Sequence, residues 1–562
     1  MRMTETSDMW WKTAVFYCCD VETFFDSDDD GFGDFQGLAA RIDYLAELGV
    51  TCLWLMPFYP TADRDDGYDI TDFYAVDPRL GSFGDFVELV RTAKDRGMRV
   101  IADLVVNHTS AEHPWFKASR SSKDSPYRDW YVWRDTEPPP TASEVVFPDA
   151  EESLWQFDEK TREWYLHHFY KHQPDLNVTN PEVRDEIRRI IGFWMELGLD
   201  GFRVDAVPYL ISARGVDDAL AEEYGDPHSH LRNLKAFMGR RRGDAILLGE
   251  VNVPYADQKA FFGDEGEELT MQFDFVLMQQ MYLAFARRDA TLIARALEQR
   301  PTLPQNGQFA CFIRNHDELT LDQLSDDERQ EVFEAFGPEP DMQLFGRGLR
   351  RRLPPMVDGD PRRLRMVYSL LFALPGTPVL FYGEEIGMGE NLDVPGRMSV
   401  RTPMQWTPGR NGGFSGARPS RLAAPVTGGA FGPSHVNAAE QRKDPDSLLN
   451  FIAALARRYR QSPEVGMGST EVLHHDVASV LAHRCTWSHD HSAASTLLVH
   501  NLAPEACEIT LTLPDLEEGA ETEELFTGAR LRVGPGGRLV VPVDGYGHLW
   551  FRLPQEGDLR LP

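Results

Sequence analysis

The chain has 562 residues, 42% of them hydrophobic and 26% charged, and its 89 acidic against 57 basic residues give a formal net charge of −32. A chain this long outgrows a single core and implies two or three domains. The acidity argues against a nucleic-acid partner, because phosphate binding takes clustered Lys and Arg. It reads as a solvated surface. Residues 1–13 lack a basic start followed by an apolar stretch. The most apolar segment, 367–382, is broken by Pro375, Gly376 and Pro378 and is shorter than the roughly 20 residues a membrane helix takes. Neither export nor a membrane partner is expected. The six cysteines show no metal spacing and read as reduced thiols of a cytoplasmic protein.

Short apolar runs alternate with helical patterns along most of the chain. A strand is predicted over 14–18. A helix follows over 37–48, with Leu38, Ile42, Leu45 and Leu48 at helical spacing. Next come a strand over 51–56, a helix over 83–96 and a strand over 99–106. Residues 107–177 then lose the repeat. They are rich in Trp, Tyr, Pro and charge, and a stretch this long predicts an inserted subdomain with a functional role. Further strands are predicted over 201–204, 245–249, 273–276, 310–313 and 378–381. Eight strands alternating with helices predict an α/β fold, a (β/α)8 TIM barrel. The Gly- and Pro-rich segment 408–437 reads as a loop near the barrel mouth, and a helix over 445–460 closes the barrel. From about 469 the pattern alternates in the β manner, in runs such as 495–499, 508–513 and 538–543. This predicts a C-terminal antiparallel β-sandwich. The expected domains are a barrel of 1–106 and 178–465, an insert of 107–177 and a sandwich of 466–562.

Barrel active sites gather at the C-terminal ends of the strands. Four predicted strands end there in polar clusters: Asp103 to His108, Arg203-Val204-Asp205, Gly249-Glu250 and Arg314-Asn315-His316-Asp317. One such cluster has an ordinary explanation, a strand reaching solvent. Four in one barrel place Asp205, Glu250 and Asp317 around one pocket with His108, Arg203 and His316.

These four segments, in this order, resemble the signatures of glycoside hydrolase family 13, the α-amylase family. The similarity runs from about Trp10 through the barrel into the Gly-rich loop. The resemblance implies a retaining mechanism with Asp205 as nucleophile and Glu250 as general acid/base, for which two carboxyls are the required chemistry. It implies that Asp317 binds and distorts the sugar, that His108 and His316 donate to the same sugar, and that Asp103 supports Arg203. Arg203, two residues before Asp205 on one strand face, favours its ionised form, whereas Glu250 must start protonated.

Asp66-Gly67-Tyr68-Asp69 and Arg401-Thr402-Pro403 resemble the exo-acting members. There Tyr68 would stack on the first sugar, and Asp69 and Arg401 would grip its non-reducing end. Segments such as Gln173 to Asn177, Asp205 to Leu210, Arg314 to Thr320 and Val400 to Trp406 resemble the members that interconvert maltose and trehalose by intramolecular transfer. Two stretches depart from those members: Val251-Asn252-Val253-Pro254 and Gly396-Arg397-Met398-Ser399. The alternatives are an exo-acting α-glucosidase that passes glucose to water, or a catalytically dead sugar-binding protein. The intact Asp205, Glu250 and Asp317 argue against the last. Aromatic residues of the insert (Trp115, Phe116, Tyr127, Trp130, Tyr131, Trp133) and the loop 408–437 are candidates for sealing the pocket against water.

Residues 26–34 carry acids at alternate positions with a Gly at the turn, a spacing of hard oxygen ligands that suits Ca²⁺. Gly37 stands where an EF-hand has its last Glu, so this is not one. By resemblance to related glucosidases, the calcium ligands are Asp26, Asp28, Asp30, the Phe32 carbonyl and Asp34. Asn107, Asp175, Tyr209 and Leu210 match a second calcium site of some relatives, with Ser212 where an acidic ligand is expected. No organic cofactor is expected, the partner is a small α-glucoside, and a homo-oligomer remains open.

Overall fold

Eight short strands close into a parallel barrel. They are β1 (Phe16–Cys19), β2 (Cys52–Leu55), β3 (Arg99–Leu104), β4 (Gly201–Val204), β5 (Ile246–Gly249), β6 (Met271–Phe273), β7 (Gln308–Phe312) and β8 (Thr377–Phe381). Each pairs with its neighbours in sequence, and β8 returns to β1. The computed structural model describes residues 9–216, 218–489 and 492–554. Apart from Arg99, every strand residue is buried. That is why the strands read as apolar runs without alternation: one face fills the barrel and the other meets the helices.

Two predicted elements differ from those observed. The strand expected over 273–276 lies earlier, and Val276 belongs to the helix Phe275–Arg287. Asp274 decides this boundary, because its side chain accepts from Leu277 N at 2.9 Å and caps the helix. The helix expected over 37–48 is two helices, Phe35–Ala39 and Ile42–Leu48. The break falls at Arg41, whose backbone (φ −107°, ψ 3°) has left the helical region.

Between β3 and β4 lies a three-stranded antiparallel sheet of Trp133–Arg134, Glu163–Leu166 and Trp155–Asp158. The aromatic residues of this segment pack on one another. Phe116 meets Tyr131, Trp133 and Tyr165, and Trp130 lies between Trp115 and Tyr127. They make a local core and do not line the catalytic cavity, so they are not the seal.

The loop 408–437 does not line the cavity either. It braces the acidic loop 26–34. Asp26 N donates to the Phe414 carbonyl at 3.1 Å, and Ala423 N donates to the Gly31 carbonyl at 2.9 Å. Gly31 has φ +111°, and a Cβ there would lie 2.1 Å from the Arg421 carbonyl oxygen. Only glycine fits so close an approach.

After the helix Leu448–Arg460 the chain forms a six-stranded sheet faced by the two-stranded pair Cys507–Thr512 and Arg538–Val543. Their apolar faces share a core of their own, including Leu497, Ile509, Leu511, Val541 and Phe551. Among the described residues, no helix is long and apolar enough to cross a membrane.

Candidate active site

Strand register starts the site. Asp103 of β3 pairs with Arg203 of β4, at the ends where the strands give way to loops. The fully buried Arg203 then gathers three carboxylates. Its Nη1 donates to Asp103 Oδ1 at 2.6 Å and also to Asp205, and its Nη2 lies 3.0 Å from Glu250 Oε2. After Asp205 the backbone turns sharply. Ala206 sits at φ +47°, an uncommon conformation for a residue with a Cβ, and its N–H donates to Glu250 Oε2 at 3.0 Å. The terminal nitrogens of Arg203 are thus taken by carboxylates.

The electrostatics separate the acids. Burial pushes Glu250 up to about 7, against the pull of Arg203 and with help from Asp205 and Asp317. Burial pushes Asp205 up to about 6, again opposed by Arg203, with Asp103 and Asp317 adding to the rise. The order leaves the proton on Glu250 when one proton is shared. Asp317 goes the other way. Burial works against its ionisation, but His316, Arg397 and Arg401 outweigh it and hold the carboxyl well below the usual range.

The buried Arg401 ties the far wall. Its Nε donates to the His316 carbonyl at 2.8 Å, Nη1 to Asp66 Oδ2 at 2.5 Å and Nη2 to Asp317 Oδ1 at 2.9 Å. The partner of Arg401 is therefore Asp66 and not Asp69. Asp69 is fully buried, and its Oδ1 accepts from Thr61 Oγ1 at 2.7 Å and from the Arg64 and Asp65 amides at 3.2 Å each. It holds its own loop together. Both acids flank Gly67-Tyr68, so the motif alone does not say which one faces the arginine.

Tyr68 and His316 lie side by side, with Tyr68 Oη 2.6 Å from His316 Nε2 and the rings nearly parallel. His316 Nε2 is also 3.1 Å from Asp317 Oδ2. His108 differs from expectation. Its Nε2 lies 3.2 Å from the Tyr68 carbonyl and its Nδ1 3.4 Å from Asn107 Nδ2, so one nitrogen serves the Tyr68 loop and the other faces the neighbouring Asn107.

Of these groups, Glu250 and Asp317 line a cavity of about 530 Å³, together with Arg397. Arg397 was not singled out as a site residue. It bridges Asp65 Oδ1 at 2.5 Å and Asp317 Oδ1 at 2.7 Å. The signal was present, because an Arg holds its place within the otherwise changed stretch 396–399. The cover comes from the insert, whose functional role the sequence predicts, and from a hairpin that it does not. Arg347, at the tip of the hairpin Gln343–Leu344 and Gly348–Leu349, donates to the Val146 carbonyl at 2.7 Å and to Glu318 Oε1 at 3.1 Å. Phe345 beside it packs on Phe147 of the insert, 5.0 Å between ring centres.

In the acidic loop, carboxylate oxygens of Asp26, Asp28 and Asp34 lie within 4.8 Å of one another, a donor set that fits a hard cation. Asp30 is not grouped with them; its Oδ1 accepts from Phe32 N at 2.8 Å. The second expected calcium site does not fit. The Asp175 carboxylate takes a bond from the His168 ring, and its Oδ1 accepts from Asn107 Nδ2 at 3.2 Å. Asn107 thus presents a donor, and the ring of Tyr209 packs against His168 at 4.8 Å. A cation there would face nitrogen donors where it needs oxygens.

The α-amylase catalytic-domain family model matches residues 21–335 and 351–467. The trehalose synthase/amylase TreS of Mycobacterium tuberculosis is 41% identical over 97% of this chain and 90% of its own. The trehalose synthase of Pimelobacter sp. is 39% identical over 98% of this chain and 97% of its own. Among solved structures, the trehalulose synthase MutB of Pseudomonas mesoacidophila superposes with a TM-score of 0.76 at 27% identity, covering 97% of this chain and 99% of that one. With three strand-end carboxylates around one guanidinium and a family match along most of its length, the chain belongs to the α-amylase family.

Proposed function

We propose that this enzyme interconverts maltose and trehalose by moving a glucosyl group through a covalent ester on Asp205. The observation that carries this is the placement of Asp205 and Glu250 on the two terminal nitrogens of one buried guanidinium. Retaining glycosidases keep their two carboxyls about 5–5.5 Å apart, with no room for an intervening water, and one shared guanidinium supports that closeness. The trehalose synthase relatives, near 40% identical along nearly the whole chain, support transfer as the outcome.

Asp205 attacks the anomeric carbon of the non-reducing glucose. The glycosidic bond breaks, and its oxygen takes the proton of Glu250. The released glucose then turns, and its anomeric hydroxyl replaces the original one beside the ester. Glu250, now a carboxylate, takes that proton while the oxygen attacks the anomeric carbon and frees Asp205. Two inversions give net retention. Asp317 and His316 hold the ring hydroxyls, Tyr68 forms a wall of the same subsite, and Asp66 with Arg401 closes its end. The cover by Arg347 and Phe147 keeps the acceptor at high effective concentration and water out.

Asp26, Asp28 and Asp34 are assigned a structural Ca²⁺, because their crowded oxygens repel one another without a cation. The enzyme is placed in the cytoplasm on its six free cysteines, five of them buried. The deciding experiment follows products from maltose over time. Trehalose as the main early product supports the assignment. Glucose alone at every maltose concentration would make the enzyme a hydrolase.

A further inference from the structure

Outside the barrel, the helix Pro181–Glu196 leads into β4 and the helix His228–Arg241 leads into β5. Between them lies a hollow of about 420 Å³ bordered by Pro181, Arg184, Arg188, Asn233 and Arg240. A second hollow of about 360 Å³ shares Arg188 and adds Asp185, Arg189, Gly192, Phe237 and Arg241. Five guanidinium groups around one groove stand out in a chain whose formal charge is −32.

Their charge is only partly cancelled. Arg188 pairs with Asp185, and Arg189 with Glu186 at 2.8 Å. Arg184 gives Nη1 to the carbonyls of Val178 and Thr179, at 2.8 Å each. Arg240 has no acidic partner among the described residues. His230, on the inner face of the second helix, is fully buried, and neither of its ring nitrogens has a partner. Burial, with the charges of Arg184 and Arg188 adding to it, pushes this ring down to about 3. Beside the charges, Arg241 stacks on the Phe237 ring at 3.6 Å.

We propose that this groove binds a small phosphate-bearing molecule, with the phosphoryl group between Arg184, Arg188 and Arg240 and the remainder against Phe237. A phosphate dianion offers three acceptor oxygens, and guanidinium forks match that geometry. A carboxylate offers only two oxygens and one charge. The bound group would tie together the two helices that feed the strands ending in Asp205 and Glu250.

The test is calorimetric titration of the full-length protein with inorganic phosphate, glucose 6-phosphate and AMP, at constant ionic strength with NaCl as the control. At least one probe should bind saturably and raise the Tm, as a ligand of the folded state must. An ester binding tenfold tighter than inorganic phosphate identifies a phosphorylated metabolite, and equal affinities identify free phosphate. Arg240→Gln, at an exposed position, should weaken binding at least tenfold and leave the ligand-free Tm and the rate on maltose unchanged. Asp185→Asn should tighten binding by freeing Arg188. Absence of saturable binding by all three probes overturns the proposal. So does equal binding by the wild type, Arg240→Gln and Arg188→Gln.

Discussion

Asp66 and Asp69 lie three residues apart, yet the structure gives them opposite expected responses to the same change. Asp69 uses one oxygen for three bonds, while its Oδ2 is buried without a partner. Asparagine can keep those three bonds and place its amide where Oδ2 is, so Asp69→Asn should leave the rate on maltose within about twofold of wild type. Asp66→Asn removes the charge facing Arg401 and should lower kcat/KM on maltose by roughly tenfold to a hundredfold, the scale of one charge-assisted bond. Equal losses in the two variants would refute the reassignment. Asp205→Asn should cut turnover by roughly a thousandfold or more with sugar binding intact, because an amide does not attack the anomeric carbon. The pH profile follows from the two shifted carboxyls. The proposed mechanism needs Asp205 ionised and Glu250 protonated, so kcat/KM should fall as pH drops through about 6 and as it rises through about 7. The two limbs belong to the coupled pair. Glu250→Gln should remove the alkaline limb for substrates whose leaving group needs no proton.

At the scale of elements, the acidic loop and the sandwich interface respond to different conditions. Asp34 caps the helix Phe35–Ala39 by accepting from Gly37 N at 2.6 Å, and the loop 408–437 rests on the same turn. Removal of Ca²⁺ by chelator should therefore lower the Tm by several degrees and change kcat little at temperatures where the protein stays folded. A Tm indifferent to chelator and to added Ca²⁺ would count against the metal. At the other end, His483, His500 and His548 lie on the six-stranded sheet. His483 Nε2 meets the Ala373 carbonyl at 2.9 Å, and His500 Nε2 meets Ser369 Oγ at 3.0 Å, both on the barrel helix Pro361–Ala373. His548 stands opposite His500 and packs on Phe451. Burial holds His483 and His548 down at about 4, with Glu524 pulling His548 up and Arg365 pushing it further down. The unfolded chain titrates near 6.5, so between about 6.5 and 4 it binds protons that the folded chain refuses. The stability from these groups is complete above 6.5 and lost as pH falls, by up to about 3 kcal/mol per histidine. His548→Phe should flatten the acid limb of Tm against pH, and an unchanged limb would show that this ring does not control it.

For the whole molecule, the proposed seal against hydrolysis rests on a contact between remote parts of the chain. Arg347 and Phe345 reach Val146 and Phe147 across the cavity. Arg347→Ala should raise free glucose relative to trehalose severalfold while bond cleavage continues, because Asp205 and Glu250 are untouched. An unchanged product ratio would locate the seal elsewhere.

The barrel and its acids were legible because each depends on residues close in sequence. A buried strand between two helical patterns ends in its own polar cluster, as in Arg203-Val204-Asp205. The grouping of Asp26, Asp28 and Asp34 in the acidic loop was legible for the same reason. Side-chain partnership was not. Which of Asp66 and Asp69 meets Arg401, and whether Arg397 reaches Asp65, depend on loops that converge from positions more than three hundred residues apart. The aromatic residues of the insert misled for a related reason: composition shows that they will be buried, and only packing shows against what. The sequence by itself thus determined the elements, their periodicity and the chemical groups at the strand ends, because local hydrogen bonding and burial set these. The tertiary structure alone decided the cover of the cavity, the second metal site's failure and the pairing of each charge, because distance in space is not distance along the chain.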